Sequence, residues 1–215
     1  MHDCRDEPFA IPGDIDAISR MRFELTSPGS TRLVIVEKET IFHRLKEARF
    51  SCVEDGGVPC ILVTGRGYPS VSTRAFISRL VAEDDRLGRA AAITDFNPHG
   101  VHIMLTYKHG GGHQAIEAER VFRLPRITWC GVHSRHLCAQ NDNVAKLTDR
   151  DTTMVRNLLA GHGVEIDASM RSELELMINR GVKADIEALV NTTSSNGVDS
   201  TANFVAMMKE MLQNL

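Results

Sequence analysis

No apolar run in this sequence approaches the roughly 20 residues that a membrane-spanning helix needs. The charged start Met1-His2-Asp3-Cys4-Arg5-Asp6-Glu7 also lacks the apolar centre of a secretory signal. A soluble, intracellular chain with no membrane partner is the expectation. Charge of one sign is missing too. The net charge is −3, which argues against a broad electrostatic footprint for nucleic acid, so any such contact has to be a local patch or run through bound metal. Cysteine is sparse and odd in number, five in 215 residues. In a chain large enough to fold without staples, that points to reduced thiols in cytosol or nucleus. No internal repeat is visible.

What is present is enough apolar material, 42% of the residues, to bury one substantial core. Residues 1–31, with Pro8, Pro12, Pro28 and a weak apolar pattern over 11–21, read as a leader or linker remnant. Leu33-Val34-Ile35-Val36 then predicts a strand, and residues 38–48 a helix with Ile41, Phe42 and Leu45 at helical spacing. Cys60-Ile61-Leu62-Val63 repeats the arrangement. Gly65-Arg66-Gly67-Tyr68-Pro69 makes its turn, and Ser70 is placed to cap a helix carrying Phe76, Ile77, Leu80 and Val81. Residues 90–93 predict a third strand, 98–107 its helix with Ile103, Met104 and Tyr107 inward, and Ile127-Thr128-Trp129-Cys130 a fourth strand. Strands alternating with helices imply βαβ units, hence a parallel sheet. Beyond Cys138 the pattern turns helical. Met154, Val155, Leu158 and Leu159 form one segment, Leu174, Met177 and Ile178 a second, and Val182, Ile186, Leu189 and Val190 a third. Phe204, Met208, Met211 and Leu215 line a last helix behind the polar linker 191–197.

Ligands of open parallel sheets bind beyond the carboxyl ends of the strands. Glu37 closes the first strand, Gly65-Arg66-Gly67 the second, and Thr94-Asp95-Phe96-Asn97-Pro98-His99-Gly100 the third. Asp95 and Asn97 are two apart, so on extended backbone they point the same way and offer oxygens to one hard cation such as Mg²⁺. Neighbouring strands of one sheet would bring Glu37 to the same ion. Pro98 suits a first helical turn, so a competing reading makes Asp95 the cap of the helix that Pro98 opens. Arg66, in a glycine turn that lets a nucleic-acid backbone approach, is a candidate phosphate contact, with an ordinary surface arginine as the alternative. Arg74 and Lys108 are similar candidates.

Taken in order, Val36-Glu37-Lys38-Glu39, Val63-Thr64-Gly65-Arg66-Gly67-Tyr68-Pro69, Thr73-Arg74, Asp95-Phe96-Asn97-Pro98-His99-Gly100 and Tyr107-Lys108-His109-Gly110 resemble one family. It is the Toprim domain of the meiotic double-strand-break proteins, eukaryotic relatives of the topoisomerase VI A protein. The similarity continues through Thr128-Trp129-Cys130-Gly131, Leu147-Thr148 and Leu174-Glu175-Leu176-Met177 to Lys183-Ala184-Asp185-Ile186-Glu187-Ala188-Leu189. The resemblance implies an α/β fold, a Toprim (Rossmann-like) parallel sheet flanked by helices over residues 32–190, with a helical C-terminal part; 191–215 would add a linker and a last helix. It implies a nuclear, chromosomal protein acting on DNA in meiosis. Mg²⁺ would be held by Glu37, Asp95 and Asn97, DNA would be contacted by Arg66, Arg74 and Lys108, and the partner would be a second copy or a topoisomerase VI B-like protein.

Members of this family cleave DNA with a tyrosine that leaves a covalent 5′-phosphotyrosyl end. That tyrosine lies in an upstream winged-helix-like domain, whereas only about thirty residues precede Leu33 here. Tyr68 and Tyr107 are the two tyrosines present and both occupy Toprim motif positions. The expectation is therefore a nucleophile supplied outside this chain. The family usually carries an acid where Asn97 stands. The carboxamide keeps an oxygen but removes a charge, which lowers the expected metal affinity and leaves an alternative: a non-catalytic DNA- or partner-binding module with a degenerate metal site.

Three other signals are weaker. Cys130, His133, His136 and Cys138 fall within nine residues, but structural zinc sites pair ligands from separated knuckles, so a buried Cys130 thiol is preferred. His109-Gly110-Gly111-Gly112-His113 lacks the Lys-Ser/Thr ending of a phosphate-binding loop and reads as a turn. His99, beside the acidic loop, is read as a packing or DNA-facing residue rather than a general base.

Overall fold

The apolar runs Leu33-Val34-Ile35-Val36 and Ala90-Ala91-Ala92-Ile93 are almost wholly shielded from solvent, as strands covered on both faces have to be. The computed structural model describes residues 8–24, 31–84, 87, 90–110, 122–137, 144–161, 166–187 and 200–212. It sets these runs side by side at the centre of a parallel sheet. Strand β1 (Arg32–Val36) pairs with β2 (Cys60–Thr64) on one side and β3 (Ala90–Ile93) on the other, and β3 pairs with β4 (Thr128–Trp129), giving the order β2-β1-β3-β4. Val36 is level with both Thr64 and Ile93. Glu37, Gly65 and Thr94 therefore leave the sheet along one rim, and the α/β parallel architecture expected from the sequence is present.

Helix α1 (Ile15–Ser19) precedes the sheet, α2 (Glu39–Glu47) joins β1 to β2, α3 (Val71–Glu83) joins β2 to β3, and α4 (Pro98–His109) follows β3. Ser70 caps α3 by accepting from Thr73 N at 3.0 Å. Ile41, Phe42 and Leu45 of α2 are buried, as are Phe76, Ile77 and Leu80 of α3. Residues 8–24 are packed on this body rather than trailing from it. Ile18 is buried, and Phe9 and Phe23 meet the Phe76 ring edge-on at centroid distances of 5.7 and 5.3 Å. Such pairs add stability beyond the area they cover.

Beyond β4 come strand β5 (Val144–Lys146), α5 (Asp149–Leu159), α6 (Ala168–Arg180), strand β6 (Val182–Ala184) and α7 (Ser200–Leu212). The strand pair corrects the helix expected around Val182 and Ile186. Gly181, in the left-handed region at φ 65°, stops α6, and the three residues after it pair antiparallel with β5. Val182 and Ile186 are four apart and so imitate a helical face, but three-residue strands are too short to show a period of their own. Leu189, Val190, Leu215, Cys138, the linker 191–197 and the glycines 111 and 112 lie outside the described residues. Phe204, Met208 and Met211 of α7 are buried. The Arg44 guanidinium lies 4.6 Å from the Phe204 ring centroid, and Arg32 Nη1 donates to Leu212 O at 2.8 Å. The methionine stripe is core.

A capping box starts α5. Thr148 Oγ1 accepts from Asp151 N at 3.2 Å, and Asp151 Oδ2 accepts from Thr148 N at 2.9 Å. The same Asp151 oxygen takes Lys183 Nζ of β6 at 2.7 Å. Burial pushes this carboxyl up, but Lys183 and the Thr148 donors outweigh it and hold the group at about 2. Asp151→Ala is expected to cost about 1–2 kcal/mol at pH 7 from the lost cap. Because the folded value lies below the ordinary 3.8, the contribution is present above that pH and is lost as pH falls through about 2. Urea midpoints for both proteins at pH 7 and pH 3 check this; a gap that widens at pH 3 contradicts it.

Candidate metal centre at the strand rim

Glu37 follows β1 and Asp95 follows β3 by one further residue, and the parallel register places them together. Glu37 N donates to Ile93 O at 3.0 Å, which carries the ladder past the end of β1. Asp95 N then donates to Glu37 Oε2 at 3.0 Å. Asp95 is 2% exposed. Its Oδ1 accepts from Ile186 N at 2.9 Å, and its Oδ2 faces Lys38 Nζ at 3.1 Å. Burial raises the Glu37 carboxyl above its ordinary range, partly offset by the Asp95 N–H it accepts. Burial, then the Glu37 charge beside it, pushes Asp95 up to about 7 against the pull of Ile186 N–H and Lys38. Two adjacent buried carboxylates that resist ionising are a place where a cation is favourable.

Asn97 does something other than supply a third oxygen. It is the N-cap of α4, with Oδ1 accepting from Gly100 N at 2.8 Å and Nδ2 turned to Asp95 Oδ2 at 3.4 Å. Only the oxygen can accept from an N–H, so the cap fixes which end faces the rim. Asn97, and not Asp95, caps the helix that Pro98 opens. Among the described residues no three or more His, Cys, Asp or Glu side chains converge as a ready-made metal cluster. Glu37 and Asp95 remain as a hard-oxygen pair. Two carboxylates, with water and phosphate completing the shell, suit Mg²⁺.

The sequence does not single out three neighbours. Lys38 Nζ also lies 3.4 Å from Asp185 Oδ2 and 2.6 Å from Glu187 Oε2. Glu187 Oε1 accepts from Thr40 Oγ1 at 2.6 Å. Burial works against the Lys38 charge, yet the Glu187 hydrogen bond and the Asp95 charge more than compensate and hold it above the ordinary lysine range. The segment bearing Asp185 and Glu187 is tied to the rim by an antiparallel bridge, Phe96 N to Ala184 O and Ala184 N to Phe96 O, both 2.9 Å. The acids spaced two apart around Ile186 are the available signal. The helix-like spacing of Val182 and Ile186 masks it, and with it their approach to the rim.

The candidate phosphate contacts separate. Arg66 is exposed in a left-handed conformation at φ 56°, and its Nε pairs with Glu39 Oε1 at 3.1 Å. Gly67 N donates to Glu37 O at 2.9 Å, which folds this turn directly onto the rim. Arg74 is 4% exposed and its Nη1 donates to Gly110 O, so it sits in the core and is not a phosphate contact. Lys108 Nζ is 3.4 Å from Asp167 Oδ2. Its place in the last turn of α4 puts it about 16 Å along the axis from the Asn97 cap. Tyr107 is buried; Tyr68 is exposed, with its hydroxyl 3.2 Å from His99 Nδ1 and 3.0 Å from His102 Nδ1. Burial, then the nearby Glu37 charge, pushes the Tyr68 phenol up to about 12, which disfavours a phenolate. His133, in the Cys/His run, is buried against the Trp129 ring, with Nε2 3.2 Å from Trp129 O and Nδ1 3.7 Å from Glu173 Oε1.

The family model for the Toprim domain shared by the topoisomerase 6 A chain and Spo11 matches residues 32–200. Meiotic recombination protein SPO11-2 of Oryza sativa subsp. indica is 32% identical over 198 residues, 92% of this chain and 47% of that protein. Meiotic recombination protein SPO11 of Homo sapiens is 30% identical over 194 residues, 89% of this chain and 46% of that protein. Meiotic recombination protein W68 of Drosophila melanogaster is 29% identical over 197 residues, 91% and 56%. The chain thus spans about half the length of the curated relatives it matches. A parallel sheet in the order β2-β1-β3-β4 with acids along one rim, together with these matches, places the chain in the TOP6A-Spo11 Toprim family.

Proposed function

We propose that this chain is the Mg²⁺-binding Toprim portion of a topoisomerase VI A-like DNA transesterase that makes meiotic double-strand breaks through a tyrosyl-DNA intermediate, with the tyrosine supplied outside the chain. The nucleus, on chromosomes, is where such a protein would act. One observation carries the reading. Glu37 and Asp95, from adjacent strands, are locked together at a buried rim by the Asp95 N to Glu37 Oε2 hydrogen bond. In this reading both carboxylates hold the ion, and bound Mg²⁺ offsets charge that builds on phosphate oxygens during cleavage. The chain's own work is placement. Ile186 N–H fixes Asp95 Oδ1, the Gly65-Arg66-Gly67 turn brings backbone close to Glu37, and Arg66 presents a guanidinium to phosphate on the same rim. Lys108, farther along α4, would meet a different stretch of DNA. A partner that brings the tyrosine, either a second copy or a topoisomerase VI B-like assembly, completes the site.

Asn97 favours a second reading. Its oxygen belongs to the α4 cap, so the rim has two acidic ligands, which suits a DNA- or partner-binding module without chemistry. Thermal melting in Mg²⁺ and Mn²⁺ separates the two. At tenfold excess over the dissociation constant a bound ion stabilises by about 1.4 kcal/mol. Glu37→Ala is expected to remove that gain. It should also remove detergent-resistant protein–DNA adducts formed when the chain is mixed with a tyrosine-bearing winged-helix chain of the family. DNA binding that persists in Glu37→Ala, with no metal response in wild type, supports the second reading instead.

A further inference from the structure

Asp95 offers its Oδ2 to a cation while Oδ1 is fixed by Ile186 N–H, and in this structure that oxygen faces Lys38 Nζ at 3.1 Å. The ammonium has a second set of partners within its reach. Glu187 Oε2 is nearer, at 2.6 Å, and Asp185 Oδ2 is at 3.4 Å. These two carboxylates come from the segment after β6, a different part of the chain from Asp95. Glu187 is itself steadied by Thr40 Oγ1 at 2.6 Å, beside the start of α2. Lys38 is thus suspended between the acid that a divalent ion would need and a separate acidic pair that such an ion need not engage.

Resting on the reading that Glu37 and Asp95 hold a divalent ion, we infer that Lys38 is the resident counter-ion of this rim, which leaves Asp95 for Asp185 and Glu187 when the ion binds. An ammonium and a dication repel across a shared carboxylate oxygen, so the metal cannot settle while Lys38 keeps its place on Oδ2. Neither does the ammonium have to be released into water. Asp185 and Glu187 already contact it, and a four-carbon stem carrying a compact point charge can make the shift. The arrangement keeps Asp95 compensated without metal and sets how tightly metal binds. Lys38 acts through Asp95, as a positioning residue.

The inference makes a signed, pairwise prediction for Mg²⁺ binding to the full chain, read by titration calorimetry with Mg²⁺ alone and by melting temperature. Lys38→Met is expected to tighten Mg²⁺ binding about tenfold, because the competing charge is gone. Glu187→Gln should weaken it about fivefold while Lys38 is present, since the ammonium then stays on Asp95, and should have a clearly smaller effect in the Lys38→Met background. Equal Glu187→Gln losses in both backgrounds, or Lys38→Met affinity at or below wild type, overturn the inference. Where Lys38→Met does not fold, as judged by circular dichroism, Lys38→Gln takes its place with the same expected direction. Glu37→Ala distinguishes the two levels of failure. If it abolishes Mg²⁺ binding while Lys38→Met remains at wild-type affinity, Lys38 alone has been misread. If Mg²⁺ binding is absent, or indifferent to Glu37→Ala, the metal reading fails and takes this inference with it.

Discussion

Asp95→Asn is expected to stabilise the metal-free chain at pH 8 by about 1–3 kcal/mol while removing the Mg²⁺ response altogether. The carboxamide keeps an oxygen for Ile186 N–H, so the segment after β6 stays attached to the rim. What disappears is a negative charge held 2% exposed beside Glu37. Lys38 loses its 3.1 Å contact but retains Glu187 and Asp185. The sign follows from linkage. The folded value of about 7 lies above the ordinary 3.8, so the contribution of Asp95 to stability is fully present below that ordinary value and is lost as pH rises through about 7. Wild type and Asp95→Asn should therefore differ little at pH 5 and diverge toward pH 8. Urea unfolding across that range, with and without Mg²⁺, reads both halves of the claim. A variant less stable than wild type at pH 8 would show that the Lys38 contact outweighs burial, and that the rim is built for an ammonium rather than a metal.

The parts of this site that are legible in the sequence are those set by strong local rules. Four consecutive β-branched or apolar residues ending in Glu37, and the small apolar run ahead of Asp95, mark strands buried on both faces. The strand–helix alternation then dictates a parallel sheet whose carboxyl ends share a rim. Ser70 and Pro98 announce their helices by capping chemistry, and both helices are in place. The remainder depends on contacts distant in sequence. Nothing local distinguishes Asn97 as a ligand from Asn97 as a cap; the Gly100 N–H that claims its oxygen decides between them. Arg74 has the composition of a surface residue, and only the packing of α3 against the end of α4 shows its charge spent on a buried carbonyl. Asp185 and Glu187 reach the rim because Ala184 bridges Phe96, a pairing 88 residues apart (184 − 96) that no periodicity reveals.

Gly131→Ala is expected to be the most damaging single methyl group in the molecule, costing more than about 3 kcal/mol or preventing folding. Past Trp129 the chain continues along β3, with Cys130 N donating to Ala92 O at 2.9 Å and Val132 N to Thr94 O at 3.0 Å. Between those bonds Gly131 lies so close to the neighbouring strand that a Cβ would stand 2.0 Å from Thr94 O and 2.5 Å from Thr94 N. Both are backbone atoms of the strand end that carries Asp95, so neither can swing aside as a side chain would. On the other side, a Cβ on Gly100 would stand 2.4 Å from Asp95 O. The Thr94–Asp95 peptide is therefore clamped between two glycines. The need here is for space rather than for an unusual backbone angle, since neither glycine has a positive φ. Relief requires prising the chain after β4 away from β3, which breaks the Val132 bond and drags Asp95 from Glu37. Gly13→Ala serves as the control, because nothing lies within 4 Å of a Cβ there, and it should stay within about 0.5 kcal/mol of wild type. If Gly131→Ala melts within a degree or two of Gly13→Ala, the two strands are not in contact at this point, and the close backbone packing that holds Asp95 at the rim is wrong.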